Sequence, residues 1–160
     1  MLPSLGELRS AISYDPKTGL FAWLATGKGR KARVGSPRPD GYWSMKVCGH
    51  RFLAHRLAWY IATGKYPPLI DHKNGNKADN RISNLRPATG SQSQANTPMQ
   101  RNNKSGYKGV HLHKPSGLFQ AKVYAEGRNR SLGYFKTAPE AHAAYCSAAR
   151  ELFGEYARTA

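Results

Sequence analysis

An acidic residue and a histidine stand side by side at Asp71-His72, where a loop rich in asparagine begins. Hydrolysis of a phosphodiester needs a base that activates water and a cation that stabilises charge on the phosphate and the leaving oxygen. Histidine titrates nearest to neutral pH, and Mg²⁺ prefers oxygen ligands such as carboxylates. His72 could supply the base and Asp71 a metal ligand. An isolated Asp-His pair, however, more often lies on the surface without a catalytic role.

The asparagines that follow this pair have a structural interpretation. Asn74, Asn76 and Asn80 lie within a stretch that has no apolar periodicity. Asparagine side chains bond to nearby backbone groups and so stabilise turns. We therefore predict that these three residues form turns and are not ligands.

The charge of the chain indicates what kind of partner it meets. Its 160 residues include 25 Lys plus Arg and 9 Asp plus Glu, a formal net charge of +16. Residues 1–99 hold 15 basic and 5 acidic residues, and residues 100–160 hold 10 and 4. This spread excludes a basic tail on a neutral domain, and the size of the charge predicts a nucleic-acid partner.

The sequence also argues against a membrane or disulfide-rich protein. No apolar run approaches the roughly 20 residues that cross a bilayer, and the N-terminus does not have the layout of a signal peptide. The two cysteines, Cys48 and Cys146, cannot form a disulfide framework, and no Cys-x-x-Cys pair is present. We expect a soluble cytoplasmic protein with no membrane partner.

Several elements are predicted around the Asp-His loop. Ser4 and Glu7 have the spacing of a capping box at the start of a helix. Alternating residues from Tyr42 predict a hairpin that ends near Ala54. A helix follows and is ended by Gly64. Residues 24–41 are rich in glycine and basic residues, which favours either a phosphate-contacting loop or a solvated surface loop.

The C-terminal part predicts three strands followed by one helix. The strands are expected at 107–113, 118–125 and 129–135, with turn residues between them. The helix begins with a capping box at Thr137 and Glu140. Alternation gives this sheet a polar and basic face that suits a DNA groove.

The quoted residues resemble two known families. Asp71-His72-x-x-Gly75-Asn76, with Asn80 and Asn84-Leu85-Arg86 downstream, is similar to the HNH endonucleases, especially the phage and intron-homing group. That resemblance implies a ββα-metal fold that binds one divalent ion, with Mg²⁺ expected and Mn²⁺ or Zn²⁺ as alternatives. It also implies cleavage of double-stranded DNA to 5′-phosphate and 3′-hydroxyl ends, in the host cytoplasm if a phage encodes the chain.

The HNH resemblance implies roles for individual residues. His72 matches the general base, Asp71 the first metal ligand and Asn84 the asparagine that secures the loop and orients the histidine. The second protein ligand is normally an asparagine four residues after a threonine, here Thr89, yet Ser93 stands there. Asn96, about one helical turn further on, is the alternative ligand.

The C-terminal part resembles the APETALA2/ethylene-response-factor DNA-binding domain, on the strength of Ser105-Gly106-Tyr107-Lys108-Gly109-Val110, Leu132-Gly133-Tyr134-Phe135 and Thr137-x-x-Glu140-Ala141. In that family the sheet lies in the major groove. The positions that match its DNA contacts are Lys108, His111, His113, Lys122, Tyr124, Arg128 and Arg130.

Together these features predict an α+β fold with two domains. Residues 1–96 form an HNH nuclease domain (ββα-metal core about 42–96), 97–104 a linker, and 105–160 a three-stranded antiparallel sheet packed on one helix. The predicted function is metal-dependent DNA cleavage, with nicking or double-strand cutting and monomer or homodimer left open. Two alternatives remain: a catalytically degenerate DNA-binding protein, suggested by Ser93, and an RNA-binding protein of ribosomal type, suggested by charge alone.

Overall fold

A computed structural model describes residues 2–24 and 34–159 of the chain. The basic part of the predicted loop 24–41, residues 25–33, lies outside the described residues. The fold is α+β, as predicted. Contacts divide the chain into two compact units, Met1–Pro87 and Ala88–Ala160.

The first unit consists of short strands around one long helix. Its elements in chain order are α1 (Leu5–Ala11), β1 (Ile12–Tyr14), β2 (Phe21–Trp23), β3 (Ser36–Pro37), β4 (Trp43–Val47), β5 (His50–Leu53), α2 (Ala54–Thr63), β6 (Ile70–His72), a 3₁₀ turn (Ile82–Asn84) and β7 (Leu85–Pro87). The predicted hairpin is the antiparallel β4–β5 pair. Helix α2 ends at Gly64, which has a left-handed φ of 77°.

One apolar core holds this unit together. Leu8 of α1, Phe52 of β5 and Leu57 of α2 are almost fully buried in it, and Ile70 and Leu85 bring the β6–β7 hairpin to the same core. Burial of one such side chain contributes roughly 1.5–3 kcal/mol. The hairpin that carries Asp71 and His72 is therefore anchored through the apolar residue on each of its strands.

The second unit is a three-stranded sheet with one long helix. Its elements are α3 (Gly90–Ala95), β8 (Val110–His113), β9 (Leu118–Ala125), β10 (Arg128–Phe135), α4 (Ala138–Phe153) and a 3₁₀ turn (Gly154–Tyr156). The sheet is antiparallel with the order β10-β9-β8. Thr137 and Glu140 form the predicted capping box of α4. Val123 and Ala125 of β9 pack against Tyr145, Ala149 and Phe153 of α4.

Helix α3 groups with the second unit, whereas the sequence interpretation placed it in the nuclease domain. Ala95 at its end is buried in the same core as Val123 and Phe153. The segment that follows α3 is part of the second unit as well. The functional limits 1–96, 97–104 and 105–160 stay a prediction, because they rest on motifs.

None of the helices in the described part of the chain is long and apolar enough to cross a membrane.

Candidate active site and nucleic-acid interface

Asp71 is buried in an ion pair across the β6–β7 hairpin. It lies opposite Arg86 in the strand register. Its Oδ2 accepts hydrogen bonds from Arg86 Nε at 3.0 Å and Nη2 at 2.9 Å. Both side chains are 8% exposed. A buried charge needs a partner of this kind, so Arg86 fixes the orientation of the carboxylate.

His72 is the next residue on β6 and is buried as well. Its Nε2 lies 3.3 Å from Asn80 Oδ1. Burial lowers the pKa of His72 below its usual value, and the Asn80 hydrogen bond opposes this shift. The imidazole is therefore neutral near pH 7, which is the form that can accept a proton.

Two aromatic rings from outside the hairpin lie close to this histidine. The His55 ring, at the start of α2, lies 5.0 Å from the His72 ring in an edge-to-face arrangement. The Tyr42 ring lies 4.9 Å from His55 and 5.9 Å from His72. His55 Nδ1 is buried without a hydrogen-bond partner in the described part of the chain. These rings restrict the orientation of the His72 imidazole.

Asn84 secures the loop between the two strands. Its Oδ1 accepts a hydrogen bond from Asn74 N at 3.0 Å, and its Nδ2 donates to the Asp79 carbonyl at 2.8 Å. Asn74 and Asn76 each accept a hydrogen bond from the backbone two residues further on. These contacts are the turn-forming role predicted for Asn74 and Asn76.

Asn80 has a role that the sequence interpretation missed. It was assigned to the turn formers, yet its side chain contacts His72. The Tyr14 hydroxyl holds the Asn80 backbone by donating to its carbonyl at 2.8 Å. The turn at Gly19 also lies against it, because a Cβ there would be 2.6 Å from the Asn80 carbonyl carbon. The β1–β2 turn thus helps to position the residue that contacts the histidine.

The Asp71 carboxylate is suited to bind a divalent ion that is also bound by a phosphate of the substrate. The described residues contain no cluster of three or more His, Cys, Asp or Glu side chains that could enclose a metal. Mg²⁺ is usually bound through one or two carboxylates together with substrate phosphates and water. A single buried carboxylate held by Arg86 meets that requirement.

The two predicted ligands on α3 belong to the second unit. This helix begins with a capping box in which Gln92 N donates to Thr89 Oγ1 at 3.2 Å. Ser93 lies in the middle of the helix and is partly exposed. Asn96 is its C-terminal cap and is 6% exposed. Their role as ligands stays a prediction.

The outer face of the C-terminal sheet carries four of the predicted DNA contacts. His111 pairs with Gln120 in the register, and His113 pairs with Leu118. Lys122 and Tyr124 share this face, because alternate residues of a strand point to the same side. The opposite face carries the residues that pack on α4. Leu112 belongs to that inner side by alternation but is 53% exposed, so it is not part of the core against α4.

The structure places two predicted DNA contacts of the third strand, Arg128 and Arg130, away from this face. Arg130 pairs with Val123 and Arg128 with Ala125, so both belong to the side of the sheet that faces α4. Arg130 also forms an ion pair with Glu126. Asn129 and Ser131 occupy the outer positions of this strand.

Lys108 is engaged inside the second unit. Its Nζ donates to the Ala95 carbonyl at 2.6 Å and to the Arg158 carbonyl at 2.8 Å. Burial lowers its pKa to about 8. The ammonium therefore fastens the end of α3 and the C-terminal segment to the sheet. Its role as a DNA contact stays a prediction.

Comparison with known proteins identifies the family of this chain. Residues 52–95 match the HNH endonuclease family, and this range contains Asp71, His72, Asn84 and Ser93. The chain is 33% identical over 155 residues to "Uncharacterized HNH endonuclease L560" of Acanthamoeba polyphaga mimivirus, which covers 96% of this chain and 76% of that protein. The chain belongs to the HNH endonuclease family.

This HNH endonuclease has a phage relative as well. It is 31% identical over 106 residues to "Protein 3.8" of Escherichia phage T7, covering 65% of this chain and 87% of that protein. No solved structure gives a significant match. Family membership establishes the chain as a nuclease, a hydrolase of phosphodiester bonds.

The buried His55 of this HNH endonuclease makes its stability depend on pH. Burial lowers the pKa of His55 to about 3, so the unfolded chain binds more protons below pH 6.5. Stability is then lost as the pH falls from about 6.5 toward 3. We expect the wild type to lose about 2 kcal/mol between pH 7 and pH 5 through His55 alone.

Urea unfolding at both pH values tests this expectation. All three tryptophans, Trp23, Trp43 and Trp59, lie in the first unit, so their fluorescence follows that unit selectively. His55→Gln should reduce the difference in unfolding free energy between the two pH values by about 2 kcal/mol. An unchanged difference would show that His55 is not the group responsible.

Proposed function

We propose that this chain is a metal-dependent DNA endonuclease in which His72 is the general base and Asp71 a metal ligand. The observation that carries the proposal is the buried, neutral His72 imidazole, held by Asn80 beside a carboxylate that Arg86 orients. His72, Asp71, Asn80 and Arg86 all lie within one short hairpin and its loop. Family membership supports this assignment of a nuclease site.

The hydrogen bond to Asn80 determines which nitrogen of His72 carries the proton. Asn80 Nδ2 donates to the Ala78 carbonyl, so its Oδ1 faces His72 Nε2 as an acceptor. Nε2 then carries the proton of the neutral imidazole, and Nδ1 is the acceptor nitrogen of that tautomer. The rings of His55 and Tyr42 hold the imidazole in this orientation.

Asp71 would hold a divalent ion, with Mg²⁺ proposed. When bound, such an ion stabilises negative charge on the scissile phosphate and on the leaving oxygen. Arg86 keeps the carboxylate in place and neutralises part of its charge before DNA arrives. Of the two residues proposed as ligands on α3, the partly exposed Ser93 is favoured over Asn96, since Asn96 is buried at the end of the helix.

The second unit is proposed to bind double-stranded DNA through the outer face of its sheet. His111, His113, Lys122 and Tyr124 lie on that face. A sheet can enter the major groove and contact base edges. An APETALA2-like role for this unit and action in the host cytoplasm belong to the same proposal.

A substitution at Ser93 tests the ligand proposed on α3. A serine hydroxyl is a shorter and weaker ligand than an amide oxygen, so Ser93→Asn should raise the rate of metal-dependent cleavage. We expect on the order of a tenfold increase or more, the size of effect usual for changes around a metal site. The rate is measured on supercoiled plasmid at fixed enzyme and a range of Mg²⁺ concentrations.

The same experiment separates the main proposal from a degenerate DNA-binding protein, the alternative that Ser93 favours. If wild type binds DNA without cutting and Ser93→Asn gains cleavage, the chain is a silenced nuclease. If neither protein cuts, the proposed site is wrong. Ser91→Asn is the matched control, because it makes the same change in the first turn of α3, at another partly exposed serine.

The choice of nucleic acid is tested separately by competition. Unlabelled duplex DNA should displace a labelled duplex more effectively than double-stranded RNA of the same sequence. Preference for RNA would favour the ribosomal-type alternative.

A further inference from the structure

A groove runs along the first strand of the C-terminal sheet, entirely within the second unit. Its volume is about 1110 Å³, which exceeds the roughly 300–1,000 Å³ of most small-molecule pockets. One wall is the segment 97–105, and the other includes His111, Lys122 and Tyr124 of the outer face. The groove therefore continues the surface proposed to bind DNA.

The segment 97–105, which we call the arch, is fastened at both ends. At one end the Ala95 carbonyl accepts hydrogen bonds from Lys108 Nζ and from Arg158 N. At the other end Asn103 Nδ2 donates to the Tyr107 carbonyl at 2.9 Å, and its Oδ1 accepts from Ser105 N at 2.8 Å. The arch is thus held in place as a wall of the groove.

The charges around the groove all have one sign. Lys104, Lys114 and Lys122 line it, and none of the described residues that line it is an aspartate or a glutamate. Residues 88–125 contain five Lys or Arg and no acidic residue. Side-chain amides on the arch, at Gln100 and Asn102, add hydrogen-bond donors. Lysines and amides are groups that contact phosphate oxygens in protein–DNA complexes.

We propose that this groove holds the phosphodiester backbone of a DNA strand, with the arch as part of the DNA-binding surface. The inference rests on the proposed DNA-binding function of the second unit. The inference adds that Lys104 and Lys114 neutralise phosphates of the DNA strand whose bases face the sheet. The arch thereby fixes the direction in which DNA crosses the outer face.

Salt-dependent binding of the full chain tests this proposal. The probe is a fluorescein-labelled random-sequence duplex, measured by anisotropy in EDTA between about 50 and 200 mM salt. Each neutralised phosphate contributes about 0.9 to the slope of log K against log salt. The double variant Lys104→Gln/Lys114→Gln should therefore reduce the slope by about 1.8. Lys136→Gln/Arg150→Gln removes the same charge from exposed positions outside the groove and should leave the slope unchanged.

A second pair of variants tests the groove without removing a lysine. Met99 on the arch is 39% exposed, and Leu152 on α4 is 42% exposed outside the groove. Met99→Glu should weaken duplex binding roughly tenfold at low salt, since it places a carboxylate among the phosphates. Leu152→Glu adds the same charge and should change binding by less than about twofold.

The outcomes separate this inference from the function on which it rests. Loss of binding in His113→Gln/Tyr134→Ala, which changes two outer-face residues outside the groove, with groove variants that bind like wild type, would overturn only the proposed role of the groove. A wild type that does not bind duplex DNA would overturn both. Competition by an unlabelled single strand shows whether the groove prefers a duplex backbone or a separated strand, and either preference supports a phosphodiester occupant.

Discussion

Replacement of His72 by alanine should abolish DNA cleavage and leave DNA binding intact. The imidazole is the proposed base, and its loss removes the group that takes the proton from water. General-base catalysis contributes typically 10²–10⁴-fold, so we expect the cleavage rate to fall by about that factor. Cleavage is followed on supercoiled plasmid, and affinity by gel shift in EDTA.

His50→Ala is the matched control for this variant. His50 lies on β5 of the same unit, is exposed, and its Nδ1 contacts the Cys48 carbonyl at 2.8 Å. It should cut at the wild-type rate. Because His72 is buried, tryptophan fluorescence must first show that the first unit of the variant is folded. A folded His72→Ala protein that cuts at the wild-type rate would show that another group is the base.

Removal of Arg86 should destabilise the first unit more than the loss of any exposed ion pair. Arg86→Met leaves the buried Asp71 carboxylate without the guanidinium that it contacts at 2.9 Å. Breaking a buried ion pair from one side costs about 3–5 kcal/mol. Urea unfolding followed by tryptophan fluorescence measures this loss in the unit that contains the pair.

Two further variants test whether the loss of stability in Arg86→Met comes from the buried ion pair. Arg38→Met breaks a pair with Asp40 whose side chains are 42% and 43% exposed, and should cost less than about 1 kcal/mol. Asp71→Asn combined with Arg86→Met should be more stable than Arg86→Met alone, since no buried charge is then unpaired. Equal losses for Arg86→Met and Arg38→Met would contradict the buried-pair account.

Local sequence signals were sufficient to predict many of the helices, strands and turns of the fold. The capping boxes at Ser4 and Thr137, the β4–β5 hairpin and the end of α2 at Gly64 are all present. Each depends on residues within a few positions of one another. Asp71 and His72 could be found in the same way, because their motif occupies one continuous stretch.

The residues around the site could not be placed from the sequence. Asn80 contacts a histidine eight residues away, and His55 reaches it from a different element. Lys108 bonds to carbonyls 13 and 50 residues distant. Such contacts depend on how separate elements pack, and no local sequence pattern predicts them.

A bulge interrupts the alternation of faces along the third strand of the C-terminal sheet. The register shifts between Ser131 and Gly133, where Gly133 has a φ of 123°. One extra residue exchanges the two faces of a strand. Ser131 and Tyr134 consequently lie on the outer face together, opposite Lys122 and Gln120. The Tyr134 hydroxyl and Ser131 Oγ both contact the Gln120 side chain at 3.0 Å.

Metal-dependent cleavage of supercoiled plasmid by the wild-type chain tests the central claim most directly. The protein is incubated with Mg²⁺ or Mn²⁺, beside an EDTA control and Asp71→Ala. We predict conversion to open-circular or linear DNA that is lost in both controls, with 5′-phosphate ends on the products. Plasmid that stays supercoiled with either metal, while a gel shift shows that it is bound, would contradict the account.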